Sequence, residues 1–307
     1  MKRVLVAGEI NVDLILHGAH AVPTPGKEVL VDGLLMTIGS ASAICAMGLA
    51  RLGTPVAFLG KVGADPWGDH CLDALRGAGI DVSRVVRDPG LQTGVTVSIT
   101  SPRDRALVSY LGAIRALRAD DVPDAALRGF DHLHVSSYYL QEGLRPGCRD
   151  LFARAHAAGL TTSLDPGFDP SERWGPDIVE TLAHVDLFFP NEVELRGIAG
   201  TDDVPEALRR LRNGRTRIVA KLGALGCMTL EAGGLRALPA YRVDPVDTTG
   251  AGDSFDAGFL HAWLFGLGLD DCLRWGAACG SLSTRALGGT GAQADPAEVE
   301  RLLAPAS

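Results

Sequence analysis

The chain has 307 residues, 46% of them hydrophobic and 21% charged, with a formal net charge of −8. That length can bury the core of one large α/β domain or two ordinary ones, and the composition is that of a soluble globular protein. The acidic balance, with no basic run, excludes nucleic acid as the main partner, and no apolar stretch is long enough to span a bilayer.

Arg3–Ala7 is a short buried-strand pattern that Gly8 breaks, and Val12–Leu16 resumes an extended pattern before the Pro23-Thr24-Pro25-Gly26 turn. The immediate entry into a strand, without a signal-peptide core, makes a cytoplasmic location the expectation. Val29–Leu35 reads as a further strand. Small residues from Ser40 to Leu52 form a helix stopped by Gly53, followed by a strand at Val56–Leu59 and a helix over Asp69–Ala78. Val95–Thr100 and Ala106–Leu111 pair as a hairpin around the polar turn Ser101–Asp104.

The second half alternates more regularly. Strand patterns at Leu133–Ser136, Thr161–Leu164, Leu187–Phe189 and Ile218–Lys221 are separated by helical patterns at Cys148–Ala158, Trp174–Ala183, Glu192–Ala199 and Pro205–Asn213. This rhythm predicts a mainly parallel sheet with helices on both faces, and the earlier hairpin material predicts a small β lid beside it. No repeat or flexible linker divides the chain, so residues 1–307 read as a single domain with lid segments near 12–36 and 92–112. The six cysteines (Cys45, Cys71, Cys148, Cys227, Cys272 and Cys279) form no Cys-x-x-Cys pair and have no histidine at ligand spacing. They read as reduced thiols.

The most specific segment is Asp247-Thr248-Thr249-Gly250-Ala251-Gly252-Asp253, which opens into a helix with Phe255, Phe259, Trp263 and Leu264 at helical spacing. Two glycines around an alanine let backbone amides approach an anion at the positive end of a helix. A carboxylate beside such amides suits phosphoryl transfer to an alcohol, which needs a base for the hydroxyl and a cradle for negative charge. The alternative for Asp253 is an ordinary helix-capping role. Ligands of open α/β sheets bind at the carboxyl ends of the strands, and polar groups follow several strands here: Asn11 and Asp13, Gln141, Asp165, Asn191 and Glu194, and Lys221 with Gly223.

Together these segments resemble the ribokinase-like (PfkB) family of carbohydrate kinases over nearly the whole chain. The resemblance rests on Gly8–Asp13, Pro23–Gly26, Gly39–Gly53, Gly60–Gly68, Asp165-Pro166, Asn191–Glu194, Lys221–Gly223 and the 247–253 heptapeptide. It implies a ribokinase-like three-layer α/β sandwich and an ATP- and Mg²⁺-dependent transfer to a hydroxymethyl group of a sugar or sugar derivative. By the same resemblance Asp253 is the base, and the amides of Gly250, Ala251 and Gly252 form the anion hole. Asn191 and Glu194 order the phosphates and the Mg²⁺-bound water, with a helix cap and its first-turn partner as the plainer reading. Lys221, Gly223 and Gly226 line the nucleotide loop, and Gly280 leaves room for adenine, where tight packing is the plainer reading.

On the acceptor side the resemblance assigns Asn11, Asp13, Gly39 and Ser40 to the sugar pocket and places Gln141 and Asp165 near it; Arg105 and Tyr110, in the expected lid hairpin, would touch an acidic or phosphorylated substrate tail, with solvated hairpin residues as the plainer reading. Two departures stand out: Ser40 replaces the second glycine of a family Gly-Gly pair, and Ile44 stands where many members carry a sugar-binding asparagine. The second makes ribose itself a doubtful acceptor. Asp165–Pro170 with Trp174 partly resembles the corresponding segment of 2-keto-3-deoxygluconate kinases but lacks their arginine. Asp247 and Thr249, with carbonyls of the Arg285–Gly291 loop, would bind a monovalent cation such as K⁺. His17 and His20 are incidental. Pairing of two lids into a homodimer is a further expectation.

An NAD-dependent oxidoreductase is disfavoured because no Gly-x-Gly-x-x-Gly follows an early strand, and a P-loop enzyme is excluded by the missing Gly-x-x-x-x-Gly-Lys-Ser/Thr. A nucleoside kinase, a 2-keto-3-deoxy sugar acid kinase and a non-catalytic sugar sensor remain as alternatives.

Overall fold

The computed structural model describes residues 1–18, 23, 25–100 and 105–304. The 101–104 turn and His20 lie outside them, as does part of the 23–26 turn. The main sheet is built from β1 (Val4–Ala7), β4 (Val56–Gly63), β5 (Asp81–Asp88), β8 (His132–Val135), β9 (Thr161–Leu164), β10 (Leu187–Phe188), β11 (Arg217–Lys221), β12 (Cys227–Glu231) and β13 (Gly234–Leu238). Its order is β13-β12-β11-β10-β9-β8-β1-β4-β5. All pairings are parallel except β11–β12 and β12–β13 at one edge. The strand order reverses at β1. The chain first builds outward through β4 and β5, then returns to build through β8 on the other side, which opens a crevice at the carboxyl ends of these strands.

Side-chain alternation divides the core into two layers. Leu5 and Ala7 join one, with Phe152 of α4 (Cys148–Ala157), Ile178 of α5 (Asp177–Leu182), Leu195 of α6 (Glu192–Ala199) and Leu208 of α7 (Val204–Arg210). Val4 and Val6 join the other, with Leu49 of α1 (Ala41–Arg51), Leu75 of α2 (Pro66–Gly77), Phe259 of α8 (Ala251–Leu264) and Leu273 of α9 (Leu269–Ser283). Of the remaining helices, α3 (Asp124–Leu127) adds Leu127 to the first layer, and α10 (Pro296–Leu303) packs Val299 in a small separate cluster with Cys279 and Leu282 of α9. The three-layer sandwich therefore follows from the βαβ rhythm. β8 also buries His132 and His134, whose ring nitrogens are satisfied by the Thr161, Ser163 and Ser136 hydroxyls at 2.7–2.8 Å. Burial holds both rings neutral, with pKa values lowered to about 3 and about 4.

A second sheet of four strands has the order β3-β2-β6-β7, from β2 (Asn11–His17), β3 (Gly33–Gly39), β6 (Gly94–Thr100) and β7 (Arg105–Tyr110). Leu34, Met36, Leu107 and Val108 project from it into solvent.

Several boundaries differ from the sequence pattern for local reasons. The strand expected at Val29–Leu35 is β3, shifted to Gly33–Gly39, where each residue pairs with β2. The α2 helix starts at Pro66 rather than Asp69, because Asp65 accepts from Gly68 N at 2.8 Å and caps it. The α5 helix starts at Asp177 rather than Trp174, which has φ of 48° and donates its N–H to Asp169. The α7 helix ends at Arg210, ahead of an Asn213 side chain that accepts from Arg215 N and Thr216 N. Three strands at the two ends of the sheet, β5 at one and β12 with β13 at the other, lack a long apolar run and escape the pattern.

Candidate active site

The heptapeptide ends in the turn that opens α8. Gly250 is its N-cap residue, with φ of 72°, a conformation that glycine adopts without a Cβ penalty. A Cβ there would also stand 2.6 Å from Gly289 Cα and 3.1 Å from Ile44 Cγ2. Backbone rather than side chain fills the space beside the turn, and Ile44 packs behind it. Asp253 lies in the first turn of α8, so its carboxylate shares one helix end with the amides of residues 250–252, of which the Ala251 N–H donates to Thr248 O at 3.3 Å. Burial raises the Asp253 pKa to about 7, aided by the charges of Asp165, Glu9 and Asp13 and opposed by Lys221. A carboxylate poised there can accept a hydroxyl proton near neutral pH.

Beneath the turn, Lys221 is buried at the end of β11. Its ammonium donates to Asp165 Oδ2 at 2.5 Å and to the Asp256 carboxyl oxygens at 3.1 and 3.2 Å. The resemblance places Lys221 at the nucleotide loop; its side chain is buried and turns inward to these two carboxyl groups. Burial opposes ionisation of Asp165, but Lys221 and the Asp256 carboxyl outweigh it and hold Asp165 below the usual carboxylate range. Asp256 goes the other way: burial, abetted by the negative Asp165 and resisted by Lys221, keeps it protonated. Asp256 went unnoticed in the sequence, although its i+3 spacing from Asp253 was legible.

Asn191 and Glu194 form a reciprocal capping box at the start of α6. Glu194 N donates to Asn191 Oδ1 at 2.9 Å, while Asn191 N and Nδ2 donate to the Glu194 carboxylate at 2.8 and 2.6 Å. The plainer reading of this pair is therefore realised in the structure. Glu194 is nevertheless buried, and burial, aided by the charge of Asp165, raises its pKa to about 8. A carboxyl group so destabilised as an anion is one that a nearby cation would relieve, which fits a Mg²⁺–phosphate group on this side.

Gly223 and Gly226 have φ of 57° and 96° in the turn between β11 and β12, closed by Leu222 N donating to Gly226 O at 2.8 Å. Gly280 lies against α8, where a Cβ would stand 3.0 Å from the Ala251 carbonyl oxygen and 3.3 Å from Phe255 Cβ. Its missing side chain thus serves helix packing behind the heptapeptide. Asp247 accepts from Thr249 N and Oγ1 at 2.9 and 2.7 Å and from Gly288 N at 2.9 Å. This carboxylate ties together the two segments expected to hold a monovalent cation.

Of the acceptor-side residues, Asn11, Asp13, Gly39 and Ser40 gather where the small sheet joins the main one. Asn11 and Asp13 begin β2 rather than ending a strand. Asn11 Nδ2 donates to Thr96 Oγ1 at 2.8 Å and to Asp13 Oδ1 at 3.3 Å, and its Oδ1 accepts from Ser40 Oγ at 2.8 Å. A Cβ on Gly39 would overlap both the Asp13 carboxylate and the Asn11 amide, so only glycine fits beside them. Ser40 adopts φ of 71° and ψ of 130° at the start of α1, a strained conformation for a residue with a side chain. Gln141 is fully buried and donates to Ser136 O at 2.6 Å, while its Oε1 has no partner among the described residues. Tyr110 is 55% exposed at the end of β7, away from these contacts, and the Arg105 side chain lies outside the described residues. Sequence reading also missed Glu9. It is buried beneath the crevice, accepts from Ser42 N and Oγ at 3.1 and 2.5 Å, and has a pKa raised by burial to about 7.

Residues 1–295 match the pfkB family carbohydrate kinase model. The chain is 31% identical over 298 residues to the ATP-dependent ribose-1-phosphate kinase of Halopiger xanaduensis, covering 96% of this chain and 95% of that protein. It is 34% identical over 286 residues to a fructokinase of Klebsiella pneumoniae, covering 85% and 91% respectively. The structure of Arabidopsis thaliana ribokinase complexed with ribose and ATP superimposes with a TM-score of 0.85 at 25% identity, covering 98% of this chain and 99% of that one.

Proposed function

The chain belongs to the pfkB family of carbohydrate kinases, and on that premise we propose that it transfers the γ-phosphoryl group of ATP to a hydroxymethyl group of a neutral sugar or sugar derivative. The observation that carries this reading is the convergence on one helix end of a carboxylate poised near neutrality and a glycine-lined amide turn.

Asp253 takes the proton of the attacking hydroxyl. The amides of residues 250–252 meet the charge that develops on the transferring group. Asn191 and Glu194 face the nucleotide side, where Mg²⁺ bound to the phosphates neutralises charge; Gly223 and Gly226 shape the turn beside the nucleotide. The acceptor lies against Asn11, Asp13, Gly39 and Ser40. Asp13 accepts hydrogen bonds from sugar hydroxyls and repels an acidic or phosphorylated acceptor, which favours a neutral one. The small sheet closes over the acceptor as a lid and excludes water. Its exposed apolar face pairs with a second copy, to be checked by light scattering, and the Asp247–Gly288 junction carries a monovalent cation, to be checked by comparing rates in potassium and in a bulky organic cation.

The test is ADP release from Mg-ATP across hexoses, pentoses, sugar phosphates, 2-keto sugar acids and nucleosides. Turnover on a neutral sugar supports the reading. Turnover confined to nucleosides or sugar acids reassigns the acceptor, and ligand binding without turnover on any acceptor supports a sensor instead.

A further inference from the structure

Asp165, Asp253 and Asp256 each bring a carboxylate oxygen within 4.8 Å of the others, a spacing that could hold a metal ion. The positive charge at that place is already supplied by the chain itself. The Lys221 ammonium bonds two of the three carboxylates, and a Cβ on Gly252 would stand 3.3 Å from Lys221 Nζ and 3.5 Å from its Cε. The ammonium therefore sits directly under the last glycine of the amide turn, with Asp253 as the next residue along.

We propose that Lys221, held by Asp165 and Asp256 beneath Gly252, is a positioning residue of the phosphoryl-transfer site, a fixed positive charge acting on both the base and the anion hole. This rests on the kinase reading above. A buried ammonium held by three hydrogen bonds to carboxyl groups has little freedom to reorient, so its field is preorganised where charge develops. The Asp165–Asp256 pair shares one proton, as closely spaced carboxyl groups do, so pair and lysine together are neutral. Asp253 then faces this neutral cluster together with Glu9 after β1, Asp13 on β2, Glu194 on α6 and the Cys45 thiol on α1. The acidic groups among these disfavour its ionisation, and Lys221 is the one cation among them.

Removing the lysine leaves the shared-proton pair with one uncompensated negative charge. Loss of an opposite charge at this range moves a carboxyl group by about 1–3 pH units. Replacing Asp256 by asparagine has a different consequence: the amide donates to Asp165 as the protonated carboxyl does, and the cluster stays neutral.

The experiment is a pH titration of the free protein by NMR, with aspartate carboxyl groups labelled with ¹³C and Asp253 assigned from Asp253→Asn. The expected result is an upward move of the Asp253 midpoint by about 1–3 units in Lys221→Met and none in Asp256→Asn. Lys221→Gln, which keeps a hydrogen bond to Asp165, serves if the methionine variant does not fold. An unmoved Asp253 midpoint in the lysine variant, or a fall of a full unit in Asp256→Asn, would overturn the proposal. A purely structural role would not move this midpoint selectively. Because the titration needs no acceptor or nucleotide, its failure is separate from failure of the kinase reading, which turnover decides.

Discussion

Ser40 offers a way to separate backbone strain from acceptor recognition. Its φ of 71° and ψ of 130° place a side chain where glycine belongs, at a strain of about 1–3 kcal/mol. Its hydroxyl returns part of that through the 2.8 Å bond to Asn11 Oδ1, about 0.5–1.5 kcal/mol. Ser40→Ala keeps the strain and loses the bond, so it should destabilise the protein by about 1 kcal/mol. Ser40→Gly loses the same bond but relieves the strain, offset by about 0.4–1 kcal/mol of added unfolded-state entropy. The glycine variant should therefore be the more stable of the two by about 1 kcal/mol, read from urea unfolding midpoints. Both variants release Asn11 from the bond that orients it, so both should raise the acceptor KM about fivefold, the equivalent of about 1 kcal/mol, with the ATP KM unchanged. An alanine variant as stable as the glycine variant, or an unchanged acceptor KM in both, would refute this reasoning.

Gly39→Ala places a methyl group in the Asp13 carboxylate and the Asn11 amide; isothermal titration should show nucleotide binding retained and acceptor turnover lost. The raised Asp253 pKa has consequences for rate and stability alike. Its base form is required, so kcat/KM for the acceptor should fall as pH drops through about 7. Protonated Asp253 favours the folded state, because its folded pKa lies above the unfolded value near 4. That contribution is full below about pH 4 and is lost as pH rises through about 7. Thermal melts should accordingly show Asp253→Asn more stable than the parent at pH 8, with the difference gone at pH 4; a constant difference would contradict the assigned environment.

How much of this was legible in the sequence depended on range. The βαβ rhythm and the glycine-bracketed Asp253 are local patterns: the first led to the right layers, and the second to a carboxylate in the first turn of α8. Asp256 and Glu9 were missed because a single acidic residue in an apolar run carries no signal until packing supplies its partners. The partners of Lys221 stayed hidden for the same reason. Its role is set by Asp165, 56 positions earlier in the chain, and Asp256, 35 positions later, and no local pattern encodes that meeting. The strands β5, β12 and β13 escaped because partial exposure at the ends of the sheet permits polar residues and blurs the apolar run. The positive φ of Ser40 was foreshadowed by its place in a glycine pair, but its bond to Asn11 was not.

The most direct test of the kinase account is a single-turnover measurement of phosphoryl transfer from Mg-ATP to the best acceptor by the parent and by Asp253→Asn, with ATP affinity measured on the same samples. Loss of a general base lowers the transfer rate by about 10²–10⁴-fold, and the account predicts a fall of that size with ATP affinity preserved within about threefold. Transfer retained in the variant, or a fall matched by an equal loss of ATP affinity, would contradict it.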